Sequence, residues 1–270
     1  MKADLHIHSN FSDGSDSIEQ IIEAALGMEL DAIAITDHDT LSHAAKIPAD
    51  TGGMQVISGV EISAVCRKTN IRAHVLGYNI RKPEIVTNLT QPLLERRNNN
   101  SEKQAEILIN QGYKIDIDKL ARADGKYLYK QHIMDWLVTT GQGPDMFGEF
   151  YKKTFKRGGI CAIDIDYIDV FEAVTAIKES RGLAVLAHPG QQQNFPLIPD
   201  LAEIGLDGLE CIHHSHSDRD GETIRDYAGR YGLFLTGGSD YHGRYESRGY
   251  GIGGLVSEES GARAIVIIDE

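Results

Sequence analysis

The sequence predicts an α/β fold, a barrel of alternating strands and helices that carries a helical insertion. Short apolar, strand-like runs alternate with amphipathic helical segments along most of the chain, a pattern typical of parallel sheets. A length of 270 residues suits one barrel domain better than an open sheet. Between Pro92 and Asp164 the alternation gives way to helical segments alone, which indicates an insertion.

The first unit shows the pattern clearly. Residues 2–8 alternate polar and apolar side chains, as in a half-buried strand, and a loop rich in Ser, Asp and Gly follows. Ser17 is a predicted N-cap, and Gln20 would complete a capping box. Apolar residues at positions 18, 21, 22, 25 and 28 have the spacing of one helix face, so a helix is expected over Ile18–Met28.

The remaining elements follow from the same patterns. Further strands are expected at residues 31–36, 54–58, 73–78, 183–188, 208–212 and 234–236, with helices at 170–180, 198–204 and 223–231. Helices at 93–111, 127–139 and 146–155 are expected in the insertion. We therefore assign residues 1–92 and 165–270 to the barrel and residues 93–164 to the helical insertion.

The net charge of −13 disfavours a protein that binds duplex DNA, because such proteins depend on neutralising phosphates. Residues 96–157 differ, with twelve Lys and Arg against eight Asp and Glu. By count alone, this excess fits a solvated helical face as well as an anion-binding surface. The apolar runs are too short to span a membrane. Three cysteines without C-x-x-C spacing favour a reducing compartment, the cytoplasm.

Residues that can bind metal ions cluster where the predicted strands end. His6 and His8 are two positions apart, as are Asp240 and His242, so each pair lies on one face of an extended chain. In a barrel, the carboxyl ends of the strands meet at one rim. Many carboxylates at one rim would repel one another unless cations bind them. The pattern predicts a metal site whose ligands come from the residues at these strand ends, which are His6, His8, Asp13, Asp37, His38, Asp39, Glu61, His74, His188, His213, His214, His216, Asp240 and His242.

Six motifs, in order along nearly the whole chain, resemble those of the polymerase-and-histidinol-phosphatase (PHP) family. They are Asp4-Leu5-His6-Ile7-His8-Ser9, Thr36-Asp37-His38-Asp39-Thr40, Gly59-Val60-Glu61, His74, Ala187-His188-Pro189-Gly190 and Gly238-Ser239-Asp240-Tyr241-His242. The resemblance implies a distorted (β/α)7 barrel, similar to a TIM barrel, that holds up to three metal ions and hydrolyses phosphate esters.

The resemblance also implies how the ligands divide among two to three divalent ions. His6, His8, Glu61 and Asp240 would form a first set, Glu61 with His74 and His188 a second, and Asp13, His38 and His242 a third. Glu61 would bridge the first two ions. Imidazole and carboxylate ligands without a thiolate favour Mn²⁺ or Fe²⁺ and are compatible with Zn²⁺.

The loop around Asp13 separates subgroups of the family. Phe11-Ser12-Asp13-Gly14 stands where the histidinol-phosphate phosphatases usually have a Cys and a His. The chain instead resembles the subgroup that hydrolyses nucleotide phosphates, including bisphosphorylated nucleotides and short RNA, with the insertion as a cap. That subgroup commonly has Arg-Pro-His in the insertion, whereas this chain has Lys130-Gln131-His132, which replaces a bidentate phosphate-binding fork by a point charge.

We expect attack by a hydroxide that bridges two metal ions, with Glu61 as the bridging carboxylate. His214 and His216 are the candidate proton donors for the leaving group, although a surface turn explains them equally well. Asp37 and Asp39 are expected to orient His38 or neighbouring ligands, and His43 to lie on the surface. The candidate phosphate-binding residues are Arg96, Arg97, Lys103, Lys130, His132, Arg244 and Arg248.

Two alternatives to a nucleotide or short-oligonucleotide phosphoesterase stay open. A small-molecule phosphatase, acting on histidinol phosphate or another phosphomonoester, is disfavoured by the Asp13 loop. A metal-stabilised module without catalytic activity is disfavoured because every ligand position of the motifs is filled. No membrane or obligate protein partner is indicated.

Overall fold

The computed structural model describes residues 1–120, 127–156, 158–245 and 250–266. Its strands are β1 (Ala3–Ile7), β2 (Ala32–Ile35), β3 (Gln55–Ser58), β4 (Val60–Cys66), β5 (Ile71–Tyr78), β6 (Ile168–Asp169), β7 (Leu183–Leu186), β8 (Gly208–Ile212) and β9 (Phe234–Gly237). Its helices are α1 (Ile18–Gly27), α2 (Pro83–Asn110), α3 (Lys130–Thr139), α4 (Glu149–Phe155), α5 (Val170–Glu179), α6 (Pro189–Gln192), α7 (Ile198–Glu203), α8 (Asp218–Tyr231) and α9 (Glu259–Ile265). None of the helices in these ranges is long and apolar enough to cross a lipid bilayer.

The strands form two sheets, and the predicted α/β class is confirmed. One sheet has the order β1-β2-β3, and the other has the order β6-β4-β5-β7-β8-β9. Strand β5 runs antiparallel to β4 and β7, whereas the other pairs are parallel. The expectation of a parallel sheet is therefore wrong at β5. Only residues 67–70 separate β4 from β5, which is enough for a hairpin but too short for a crossover helix.

The helices pack on the sheets through the apolar faces that the sequence predicted. Helix α1 begins with the expected capping box of Ser17 and Gln20, and its Ile18 and Ile21 pack in one cluster with Ile33 of β2. Helices α5, α7 and α8 bury apolar residues in a larger cluster with β4, β5, β7 and β8. Burial of these faces leaves the polar strand ends to form the site.

Helices α2, α3 and α4 share a separate apolar cluster that includes Leu108, Ile133 and Phe155. We refer to residues 93–164 as the cap. Helix α2 begins at Pro83 and continues through Pro92, so the predicted start at residue 93 is wrong. Val86 and Leu93, on either side of this proline, are both buried in the main core, and their packing outweighs the lost helical hydrogen bond.

Candidate metal centre

The first predicted ligand set is assembled at the end of β1. The Nε2 atoms of His6 and His8 are 3.2 Å apart, and they lie 3.3 Å and 3.2 Å from Asp240 Oδ1. Glu61 approaches the same two atoms, at 3.5 Å through Oε1 and 3.3 Å through Oε2. Four side chains from three distant parts of the chain thus direct their nitrogen and oxygen atoms to one point.

Glu61 also forms the centre of the second set. Its Oε1 lies 2.8 Å from His74 Nδ1 and 2.9 Å from His188 Nε2, and its Oε2 lies 3.0 Å from His38 Nδ1. Burial opposes ionisation of this carboxyl, but the neighbouring imidazoles outweigh it and hold the pKa of Glu61 well below its usual range. Glu61 belongs to β4, whereas the sequence had placed it at the end of the preceding strand.

The ligand atoms of the third set lie farther apart than those of the first two sets. Asp13 Oδ1 lies 3.4 Å from His242 Nε2, and Asp13 Oδ2 lies 3.8 Å from His38 Nε2. His8 Nδ1 lies 3.7 Å from Asp13 Oδ1, so the His8 ring connects the first set to the third. Burial disfavours the charge on Asp13, yet His38 and His242 hold the pKa of Asp13 well below its usual range.

The chemistry of this cluster fits divalent cations. Within the described ranges, buried His8 Nδ1, Asp13 Oδ1, His38 Nδ1 and His188 Nδ1 have no hydrogen-bond partner. Each unpaired buried group costs about 1–3 kcal/mol, and a cation bound between His8 Nδ1 and Asp13 Oδ1, which lie 3.7 Å apart, would remove this cost for both atoms. Burial lowers the pKa of His38 to about 3, so its imidazole is neutral and has a lone pair to offer.

Glu210 was not predicted from the sequence, although a carboxylate within the apolar run 208–212 could have marked it. Its Oε1 lies 2.9 Å from His6 Nδ1, and its Oε2 accepts the backbone N–H of His188 at 2.8 Å. Burial opposes its charge, but His6 lowers the pKa of Glu210 to about 2. A carboxylate on Nδ1 orients the opposite nitrogen of a ligating imidazole towards the metal, so Glu210 positions His6.

His213 was likewise not chosen among the histidines after β8. The backbone N–H of Ser215 donates to His213 Nδ1, so Nε2 carries the proton and donates to Asp240 Oδ2 at 3.2 Å. This hydrogen bond leaves Asp240 Oδ1, the oxygen nearest His6 and His8, for a metal ion. His213 therefore orients a ligand.

Comparison with known proteins agrees with this geometry. The family model described as the PHP domain matches residues 4–180. This chain belongs to the PHP family. It is 41% identical over 252 residues to a phosphoribosyl 1,2-cyclic phosphate 1,2-diphosphodiesterase of Eggerthella lenta, covering 91% of this chain and 95% of that protein. It is 30% identical to a 5'-3' exoribonuclease of Escherichia coli, covering 88% and 84% of the two chains.

A solved structure from Bifidobacterium adolescentis, described as a metal-dependent phosphoesterase, superimposes with a TM-score of 0.87 at 26% identity. The match covers 97% of this chain and 94% of the other. Together with the His, Asp and Glu clusters, these similarities show that the PHP chain is a metal-dependent phosphoesterase.

Three residues near the candidate ligands were expected to orient His38 or neighbouring ligands, or to lie on the surface. Asp37 accepts hydrogen bonds from Ser9 and Ser12, so it holds the loop that leads to Asp13 and does not orient His38. His43 is fully buried, with Nδ1 2.8 Å from Asp37, and the prediction of a surface position is wrong. Asp39 pairs with Arg97 at 2.8 Å, because a buried carboxylate needs a cation to offset its desolvation.

The two candidate proton donors differ in position. His214 lines a cavity of about 340 Å³ that is also lined by seven of the predicted ligands. We call this cavity the metal pocket. His216 does not line it. Its Nδ1 donates to the carbonyl of Cys211, and its Nε2 accepts the N–H of Gly190, so neither nitrogen can reach a substrate.

A second cavity, of about 680 Å³, is lined by Arg72, Arg97, Lys130 and Lys156. We call it the basic cavity. It shares Asp13, His38, His74, Lys130, Gln131 and Gln191 with the metal pocket, so the two are continuous. Arg72 and Lys156 were not predicted. Arg72 lies two positions before His74 on the same face of β5, which is a signal that the sequence does contain.

Lys130 and Lys156 are the two lysines that line the basic cavity. Their ammonium groups lie 6.0 Å and 5.9 Å from the Tyr151 ring centroid, and neither forms an ion pair with a described carboxylate. Burial, followed by repulsion from Lys156 and Arg97, lowers the pKa of Lys130 to about 7. A bound anion would relieve this repulsion.

The structure brings two of the seven predicted phosphate-binding residues, Arg97 and Lys130, to this cavity. Arg96 donates to the carbonyl of Asp166, and Lys103 is exposed outside both cavities. His132 is buried and accepts the Tyr129 N–H at the start of α3. Arg244 is engaged by Asp135 through Nε and Nη2. Arg248 lies outside the described residues.

Proposed function

We propose that this phosphoesterase hydrolyses a phosphate ester of a ribose that carries a second phosphate. One observation carries the proposal: the metal pocket adjoins the basic cavity, and Lys130 lines both. The reacting phosphate would lie at the ligand sets, and the second phosphate would bind Lys130 and Lys156. A substrate with a single phosphate leaves these two lysines unused.

The names of the relatives support this class of substrate. The Eggerthella lenta relative acts on a phosphoribosyl group that also bears a 1,2-cyclic phosphate, which places two phosphates on one ribose. The Escherichia coli relative acts on RNA from its 5' end, where each ribose also joins two phosphates. The nucleotide and short-oligonucleotide substrates expected from the sequence belong to the same class, whereas histidinol phosphate has one phosphate and an amine.

The chain's residues divide the chemistry between them. The three ligand sets would hold two to three divalent ions, Mn²⁺ or Fe²⁺ by ligand type, and Zn²⁺ is compatible. When bound, such ions supply Lewis acidity that activates water and neutralises phosphate oxygens. Glu61, shared by the first two sets, fixes their separation. His214, at the rim of the metal pocket, protonates the leaving oxygen.

A nucleobase on the ribose is favoured by a specific feature of the metal pocket. Tyr250 lines this pocket and is 46% exposed, and its ring stacks on His214 with centroids 6.0 Å apart. An exposed aromatic ring offers a surface on which any base can stack. We therefore propose nucleoside bisphosphates and short RNA as the second candidate substrates, beside phosphoribosyl cyclic phosphate.

Further parts of the proposal concern architecture and location. Single bridges join Ile7 to Tyr241 and His38 to Glu61, and these bridges support closure of the two sheets into a distorted (β/α)7 barrel. Residues 93–164 would act as a cap over the site, since helices α3 and α4 supply Lys130 and Tyr151 to the lining of the metal pocket. We propose the cytoplasm as its compartment on the basis of cysteine usage.

The deciding experiment is a substrate panel assayed with Mn²⁺. It contains phosphoribosyl 1,2-cyclic phosphate, a nucleoside 3',5'-bisphosphate, 5'-phosphorylated short RNA, the matching nucleoside monophosphate and histidinol phosphate. We expect kcat/KM for the best two-phosphate substrate to exceed that for the monophosphate by at least ~10-fold, roughly 1.4 kcal/mol. The monophosphate and histidinol phosphate reacting as fast as every two-phosphate substrate would refute the proposed class.

A further inference from the structure

Helix α3 of the cap makes a direct contact with the third ligand set. The side-chain amide of Gln131 donates to Asp13 Oδ2 at 2.6 Å. The opposite orientation of this amide would place its oxygen against a carboxylate, so the donor must face Asp13. Asp13 is 3% exposed, and its Oδ1 has no hydrogen-bond partner among the described residues. Gln131 therefore occupies one oxygen of Asp13 and leaves the other for a metal ion.

Two further contacts join the same helix to the other members of this set. Tyr129, the residue before α3, donates its hydroxyl to the backbone carbonyl of His38 at 3.0 Å. Asp135 of α3 accepts two hydrogen bonds from Arg244, at 3.0 Å and 2.7 Å, and Arg244 follows His242 by two residues. All three segments that carry third-set ligands are thus attached to one helix of the cap.

This attachment distinguishes the third set from the first. In the first set, Glu210 of β8 orients His6 and His213, directly after β8, orients Asp240, so its supports come from the sheet. In the third set, Asp37 holds the loop before Asp13, but the direct hydrogen bond to the Asp13 carboxylate comes from the cap.

We propose that Gln131 is a positioning residue that couples the cap to the third metal site, by holding Asp13 with Oδ1 towards His8 and His242. The proposal rests on the metal centre described above. Loss of an outer hydrogen bond to a metal ligand typically weakens metal binding by ~10–100-fold. Because Gln131 donates its hydrogen bond to Asp13 and to no ligand of the first two sets, the loss should be largest for the third ion.

The test compares Mn²⁺ binding to the full-length protein and its variants by electron paramagnetic resonance of free Mn²⁺. Gln131→Leu and Gln131→Met both remove the donor, and each keeps a side chain of similar volume at the second position of α3. Gln142→Leu is the matched control. It removes a cap amide that donates to the Lys114 carbonyl and Thr140 and touches no ligand.

We expect both Gln131 variants to bind one of three ions at least ~10-fold more weakly, with the other two affected less. Gln142→Leu should match the wild type, and the Gln131 variants should still unfold cooperatively in EDTA, with an unfolding temperature lowered only by the one lost hydrogen bond to Asp13. Wild-type affinity for all three ions in both variants would overturn the proposal. So would equal weakening of every ion, or a wild type that binds no third ion. Since the assay contains no substrate, its outcome is independent of the substrate panel.

Discussion

Replacement of Glu61 by Gln tests the metal centre at its most connected point. The two carboxylate oxygens lie within 3.5 Å of five imidazole nitrogens, those of His6, His8, His38, His74 and His188. Glutamine keeps the volume but removes the charge, and its NH₂ group would point donors at nitrogens that must offer lone pairs. No other ligand of the described site is shared in this way by two predicted sets.

The magnitude follows from the charge that is lost. A unit charge about 4 Å from another contributes about 4 kcal/mol at an effective dielectric constant of ~20, which corresponds to roughly a 10³-fold change in an equilibrium constant. We expect Glu61→Gln to weaken the binding of the metal ions by about this factor and to reduce kcat/KM by at least the same factor. Metal content per chain after dialysis, measured by elemental analysis, should fall from two to three ions towards one or none.

Glu210→Gln is the matched control for this variant. Glu210 is also a buried carboxylate in contact with His6, but it contacts the nitrogen that faces away from the predicted metal. Its replacement should cost only ~10–100-fold in metal affinity. If Glu61→Gln retained wild-type metal content and kcat/KM, or lost less than Glu210→Gln, the shared role of Glu61 would be wrong.

Three further predictions concern the substrate. The pKa of Lys130 is lowered to about 7, so its charge is lost as pH rises from 6 to 8. KM for a two-phosphate substrate should then rise in the wild type relative to Lys130→Arg, whose guanidinium stays charged; coincident profiles would exclude Lys130 as the anchor. His214→Gln should lower kcat by ~10²-fold or more for a substrate with a ribose leaving group. The loss should be far smaller for p-nitrophenyl phosphate, because its leaving group needs no proton. Equal losses for the two substrates would indicate a structural role for His214. Asp13→His should weaken activity without switching the substrate preference to histidinol phosphate. The measurement is the ratio of kcat/KM for a nucleotide to kcat/KM for histidinol phosphate. Faster turnover of histidinol phosphate than of every nucleotide would contradict the subgroup assignment.

Local periodicity was sufficient for much of the fold. The apolar spacing of α1 and its capping box at Ser17 depend on neighbours in sequence alone, so both were predictable. The antiparallel direction of β5 was not predictable, because the direction of a strand depends on the length of its connection and on the rest of the sheet. The course of α2 through Pro92 was not predictable for a similar reason, since packing on both sides of the proline decides it.

The clustering of the candidate ligands could be predicted because metal-binding side chains are unusual where strands end, and motifs such as His6-x-His8 impose a shared face. The residues that orient each candidate ligand could not be predicted. A carboxylate within an apolar run marks Glu210 as unusual, but Glu210 and Gln131 contact His6 and Asp13 from 204 and 118 residues away. No local pattern shows which polar residue will fold against which ligand. The same holds for Lys156, whose charge becomes significant only when it meets Lys130 beside Tyr151. Sequence alone determined which side chains can bind metals, and tertiary structure decided what orients them, because orientation depends on contacts between distant segments.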